Sequence, residues 1–180
     1  MPKPRALITG ISGMVGSHLA DYLLEHTDWD IHGMCRWRSP LDNVKHLLDR
    51  VNRHDRVFFG YGDLRDYISI QNVVEQAKPD YVFHLAAQSY PMTSFTSPLD
   101  TYDTNIEGTA RLLEALRRCP GIDPVIHVCS SSEVSGTCRS ASIGRSRSGS
   151  VSTLTSLRVE SDRRCLSISP TVQEYAPPML

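Results

Sequence analysis

Residues Ala6-Leu7-Ile8-Thr9-Gly10-Ile11-Ser12-Gly13-Met14-Val15-Gly16 join a short apolar run to glycines at positions 10, 13 and 16, and a helical pattern follows. A phosphate-binding turn needs this order. Glycine in the turn lets backbone approach a pyrophosphate, and a helix starting near Met14 aims unpaired N–H groups and its positive dipole end at the same place. Strand, glycines and helix fall in register, so the stretch predicts a dinucleotide site at a strand-to-helix turn.

Outward from this turn, strand and helix patterns alternate to about Gly136. Apolar runs at Arg5–Thr9, Asp30–Cys35, 56–61, 80–85 and 124–129 suit strands buried in a parallel sheet. Ser39-Pro40 precedes a helical pattern over 41–50, and Ser97-Pro98 precedes another over 99–118; each places a capping serine before a first-turn proline. Asp66 caps a third over 67–78, where Ile70, Val73, Val74 and Ala77 form one apolar face. Repeated β-α-β units with right-handed crossovers predict an α/β fold. It is a Rossmann-type doubly wound parallel sheet, truncated after about the fifth strand, with an irregular tail.

A chain of 180 residues suggests one domain with an appendage. Its 40% hydrophobic content suffices for a core, and 22% charged residues is ordinary for a globular chain. A net charge of −1 gives no reason to expect nucleic acid or an anionic membrane as partner. Met1-Pro2-Lys3-Pro4-Arg5 runs into the first strand without a signal-peptide pattern, and no apolar stretch approaches the roughly 20 residues that cross a bilayer. Cys35, Cys119, Cys129, Cys138 and Cys165 are odd in number and lack C-x-x-C spacing. Free thiols in a reducing cytoplasm are expected, with no metal site.

Beyond Gly136 the character changes. Residues 137–180 are dominated by serine and arginine, as in Arg145-Ser146-Arg147-Ser148-Gly149-Ser150, and contain no lysine. No helical or strand period persists, so disorder is expected there, and the chain divides into an incomplete dinucleotide-binding domain over 1–136 and a tail over 137–180. An arginine–serine interaction tail controlled by phosphorylation is a second reading.

Five motifs occur in order: Thr9-Gly10-x-x-Gly13-x-x-Gly16, Gly62-Asp63-Leu64-Arg65-Asp66, His84-Leu85-Ala86-Ala87-Gln88-Ser89, Asp103-Thr104-Asn105-Ile106-Glu107-Gly108-Thr109 and Cys129-Ser130-Ser131-Ser132-Glu133-Val134. Together they resemble the extended short-chain dehydrogenase/reductase (NAD-dependent epimerase/dehydratase) family. The likeness is greatest to its sugar-nucleotide branch, which contains GDP-mannose 4,6-dehydratase. It covers about three quarters of the chain.

The resemblance implies that Gly10, Gly13 and Gly16 hold the pyrophosphate, with further backbone N–H groups from Ser12, Met14 and Val15. Arg36 stands at the end of the second strand, where an NAD site favours a carboxylate; an arginine complements a 2′-phosphate and argues for NADP over NAD. By the same resemblance Asp63 and Leu64 lie beside the adenine, and Ala86, Ala87 and Gln88 line the nicotinamide half. Asn105 is structural, tying a strand to its neighbour, and Ser94 and Phe95 are candidates for sugar contact. The expected catalytic residues are Ser131, hydrogen-bonded to a developing oxyanion, and Glu133, the base for the hexose C5 proton. In that reaction hydride leaves C4, the C5 proton is removed, and water leaves C6 before hydride returns there. The family resemblance also implies a nucleotide-sugar partner of GDP-mannose type and a homo-oligomer.

One family feature is missing. The family carries a tyrosine with a lysine four residues later, whereas Tyr175 is the only tyrosine after Gly136 and Lys78 the last lysine anywhere. Ser135 stands where the family carries an aromatic residue. A shifted reading frame after Gly136 and a genuine alternative end both account for the change, and either makes catalysis by this polypeptide alone unexpected. Three functions stay open: a 4,6-dehydratase by descent, a sugar-nucleotide epimerase or 4-ketoreductase, and a non-catalytic NADP-binding or interaction protein.

Overall fold

Ala6, Leu7 and Ile8 are fully buried because their strand, β1 (Arg5–Thr9), lies inside a six-stranded sheet. The computed structural model describes residues 2–129 and the strand Thr155–Arg158. In chain order the elements are β1, α1 (Met14–His26), β2 (Asp30–Cys35), α2 (Leu48–Arg53), β3 (Val57–Tyr61), α3 (Tyr67–Ala77), β4 (Tyr81–His84), α4 (Pro91–Thr96), α5 (Pro98–Tyr102), α6 (Gly108–Arg118), β5 (Val125–Val128) and β6 (Thr155–Arg158). The strands run in the order β3-β2-β1-β4-β5-β6, the first five parallel and β6 antiparallel to β5. The expected doubly wound parallel α/β sheet is what forms.

Thr9 pairs with Met34 of β2 on one side and with His84 of β4 on the other, so three strands end level. The strand order reverses between β1 and β4, which is where open α/β sheets bind ligands. Alternation along each strand divides the core between two faces. Leu7, Val82 and Ile126 pack with Ile70 and Val74 of α3 and Leu112 and Leu116 of α6. Ala6, Ile8, Ile31 and Val57 pack with Ala20 and Leu23 of α1.

Local signals decide the helix ends, with three corrections. Asp66 caps α3 as expected, its Oδ1 accepting the Ile68 N–H at 3.1 Å, and Lys78 ends it in the left-handed region at φ 41°. Ser39 is not a cap: its N–H closes a turn onto the Arg36 carbonyl at 3.0 Å, so the helix expected over 41–50 starts later, as a 3₁₀ helix Asp42–Leu47 leading into α2. Ser97 does precede α5, but its side chain makes no capping bond. The helix expected over 99–118 is interrupted by a π-helical turn, Asp103–Glu107, in which the Gly108 N–H reaches back five residues to the Asp103 carbonyl. Gly108 then packs against α3's leading loop, where a Cβ would come within 2.7 Å of the Leu64 Cβ. The extra residue in the turn accommodates that approach.

Two elements arise where none was expected. Pro91 starts α4 inside the stretch after β4, placing Ser94 and Phe95 on a helix. Strand β6 pairs with the edge of β5 within the region read as irregular; a free edge is a template for any extended segment. The boundary placed at Gly136 lies outside the described residues. Cys35 and Cys119 are buried free thiols and Cys129 is exposed; Cys138 and Cys165 are likewise outside. Among the described residues no helix is long and apolar enough to cross a membrane.

Candidate functional site

A cleft of about 430 Å³ opens at the carboxyl ends of β1, β2, β3 and β4. Its floor is the glycine turn. Gly10 has φ +74°, and a Cβ there would lie 3.0 Å from the Ala86 Cα, so any other residue is both strained and crowded. At Gly16 a Cβ would come within 2.4 Å of the Gly10 carbonyl oxygen. That glycine lets α1 pack against the turn. The first helical bond of α1 runs from the Ser17 N–H to the Gly13 carbonyl at 3.0 Å, which leaves the amides of Met14, Val15 and Gly16 ahead of it without an i−4 partner. The cradle fits an anionic group: backbone donors, a helix N-terminus and no side chain in the way.

The outer wall comes from β2 and β3. Arg36, exposed just beyond β2, lines the cleft with Ser39 and the Asp63–Arg65 loop. Arg65 spans the wall: its guanidinium reaches Asp63 Oδ1 at 3.4 Å and donates to Asp100 Oδ1 at 2.8 Å, joining the β3–α3 loop to α5. Burial pushes the Asp63 carboxyl up. The Arg65 N–H, the Arg65 guanidinium and the charge of Arg36 outweigh it, and the net effect is a lowered pKa. On the other flank Asn43 Nδ2 donates to the Ser12 carbonyl at 3.0 Å and braces the glycine turn against the 3₁₀ helix.

The inner wall is the segment from Leu85 to Tyr90. Thr9 Oγ1, fully buried, accepts the N–H groups of Leu85 and Ala86, both at 3.1 Å. Asn105 Oδ1 accepts the Gln88 N–H at 2.7 Å and its Nδ2 donates to the Gln88 carbonyl at 3.0 Å. Asn105 thus ties the π-helical turn to the segment after β4, a structural role of the kind expected of it. His84 lies beneath, 4% exposed, with burial pushing its pKa down to about 4.

Of the residues singled out from sequence, the cleft brings together Gly10, Ser12, Gly13, Arg36, Asp63, Leu64, Ala86, Ala87 and Gln88. Gly16 packs beneath the turn, while Met14 and Val15 direct exposed side chains outward from the first turn of α1. Ser94 and Phe95 do not line the cleft; the Ser94 hydroxyl donates to the Pro91 carbonyl at 2.6 Å. Ser131 and Glu133 lie outside the described residues. Arg65, Ser89 and Thr104 line the cleft as well, and each stands in a motif that pointed to it. Asp100 reaches it through a partner 35 residues away, which nothing local announces.

Comparison with known proteins agrees with this architecture. The family model described as GDP-mannose 4,6 dehydratase matches residues 7–146. The chain is 45% identical over 121 residues to a GDP-mannose 4,6-dehydratase of Vibrio cholerae, covering 65% of this chain and 32% of that one. It is 37% identical over 143 residues to human GDP-mannose 4,6 dehydratase, covering 76% and 38%. Among solved structures, the UDP-glucose 4-epimerase of Thermotoga maritima with UDP-glucose superposes with a TM-score of 0.54 at 28% identity, over 65% of this chain and 35% of that one. That of Thermus thermophilus in complex with NAD gives 0.53 at 28%, over 63% and 34%. The chain spans about a third of the length of the curated relatives it matches. On the strength of the model match and these relatives, the chain belongs to the GDP-mannose 4,6 dehydratase family.

Proposed function

We propose that this chain binds NADP in the cleft, as the cofactor-binding part of a sugar-nucleotide 4,6-dehydratase of GDP-mannose type. The observation that carries this is the Gly10 turn: positive φ, no room for a Cβ against Ala86, and the N-terminus of α1 directly behind it. The amides of Ser12, Met14, Val15 and Gly16 would hold the pyrophosphate, with Gly10 and Gly13 admitting it. Arg36 would pair with the 2′-phosphate. Asp63 and Leu64 would border the adenine, and Ala86, Ala87 and Gln88 would present backbone to the nicotinamide half. When bound, the dinucleotide supplies a reversible hydride acceptor.

The roles proposed for the remaining residues are those that the family resemblance implies. Ser131 donates a hydrogen bond to the sugar C4 oxygen, and the Glu133 carboxylate takes the C5 proton once a C4 ketone has acidified it. The C4 hydroxyl proton, however, has no tyrosine–lysine acceptor in this sequence. That absence favours a second reading, in which the chain binds NADP without turning over a sugar.

Equilibrium titration of the full chain with NADPH and with NADH, followed by incubation with NADP and GDP-mannose, tests both. The expected result is saturable binding, tighter for NADPH, and no 4-keto-6-deoxy product. Absence of saturable binding overturns the cofactor site, tighter NADH binding overturns the choice of NADP, and product formation overturns the reading without turnover.

A further inference from the structure

A buried polar chain runs under the cleft and uses a histidine that the proposed chemistry does not. Thr9 Oγ1 accepts two N–H groups, from Leu85 and Ala86, so both of its lone pairs are committed. Its one proton then belongs to the contact at 2.8 Å with His84 Nδ1, which must accept. A neutral ring that accepts at Nδ1 carries its hydrogen at Nε2. That nitrogen stands 2.9 Å from Thr109 Oγ1 of α6, and the Thr109 hydroxyl donates onward to the Asn105 carbonyl at 2.7 Å. Every member is satisfied by a single assignment of protons, and reversing the ring tautomer would set two donors against each other at Thr9.

We infer that His84 is a positioning residue for the cleft: neutral and protonated at Nε2, it joins Thr9 on β1 to Thr109 on α6 and so fixes the backbone from Leu85 to Gln88. Through Thr9 it holds the two amides after β4, and through Thr109 it holds the helical run from which Asn105 grips Gln88. Two strand ends and a helix are thereby locked around one ring. The consequence for a cofactor rests on the functional reading above; the tautomer and the locking do not.

The ring is not held by charge. Burial is the sole cause of its low pKa. Charged groups on the elements around it are engaged elsewhere. Arg5 of β1 acts on His32 and Cys119, and His127 of β5 packs by Phe83 on the opposite sheet face. Asp103 and Glu107 of the π-helical turn both pair with Arg111, and Arg117 and Arg118 both pair with Glu114 on α6.

The test combines two measurements on the full chain. Nitrogen-15 NMR of the histidine rings, with hydrogen exchange at Leu85 and Ala86, needs no cofactor. We expect a neutral Nε2–H ring at neutral pH and slow exchange at both amides. A charged ring or the Nδ1–H form overturns the proposal. The second measurement is NADPH affinity in His84→Asn and His84→Leu. The asparagine carbonyl can stand in for Nδ1 and accept from Thr9, whereas leucine leaves that hydroxyl without a partner. We expect His84→Asn, which keeps the bond to Thr9 and gives up the one to Thr109, to weaken NADPH by about threefold, and His84→Leu, which gives up both, by about tenfold or more. A folded His84→Leu with wild-type affinity overturns the proposal. Should wild type bind no NADPH, the functional reading fails and the ring state and amide protection decide this inference alone.

Discussion

Gly10 and Ala86 approach so closely that a Cβ on Gly10 would lie 3.0 Å from the Ala86 Cα. The turn after β1 and the segment after β4 are therefore built against each other, and the cleft floor has a fixed depth. Gly10→Ala combines a left-handed backbone, which costs about 1–2 kcal/mol in an alanine, with that clash. Gly121 offers a control: its φ is +77°, yet nothing lies within 4 Å of a Cβ there. Thermal unfolding should show Gly121→Ala lowered by the backbone cost alone and Gly10→Ala lowered further, at roughly 2–4 °C per kcal/mol. Equal shifts would mean that the contact with Ala86 relaxes freely.

Two helix starts with similar sequence signals separate under mutation. Asp66 makes its capping bond to Ile68, while Ser97 makes none. Asp66→Ala should cost about 1 kcal/mol in urea denaturation, and Ser97→Ala close to nothing. A comparable loss at Ser97 would show that its hydroxyl caps α5 in solution.

The difference between those residues marks what can be read from sequence here. The five parallel strands were legible because each is a short apolar run, and Ile8 or Ile31, fully buried, has no other place to go. The glycine turn was legible because strand, glycines and helix are contiguous. Ser39 misled because Ser-Pro marks turns as readily as helix starts, and here its N–H closes a turn onto Arg36. The π-helical turn left no trace in the periodicity of 99–118, since one residue's offset is decided by how Gly108 meets Leu64. Asp100 entered the site through Arg65, and Thr109 reaches His84 from 25 residues away; both links belong to the packing of whole elements.

In the proposed function the choice of NADP over NAD rests on Arg36, which lines the cleft just beyond β2. A guanidinium at the end of β2 offers charge-assisted hydrogen bonds to a 2′-phosphate, each worth about 1.5–3 kcal/mol. Arg36→Glu replaces attraction with repulsion and supplies an acceptor for a ribose 2′-hydroxyl. Fluorescence titration should find NADPH weakened by about 10–100-fold, with NADH unchanged or improved. An equal loss for both dinucleotides would assign Arg36 to the fold or to the pyrophosphate instead.

Acid should act on the fold through His84. Its pKa falls from 6.5 to about 4 on folding, so the native state binds fewer protons than the unfolded chain between those values. The sign follows directly: the buried neutral ring contributes fully above pH 6.5, and its contribution drains away as the pH falls to about 4. The whole window corresponds to roughly 3 kcal/mol. Carboxylates titrate in part of the same range, so the informative quantity is the difference between wild type and His84→Asn. Asparagine lacks the titrating ring but keeps an acceptor for Thr9, so its urea midpoint should fall less steeply with acid than that of wild type. The two stability curves should therefore converge, or cross, toward pH 4. Parallel curves would mean that the ring binds its proton equally well folded and unfolded, which no histidine 4% exposed between two threonine hydroxyls should do.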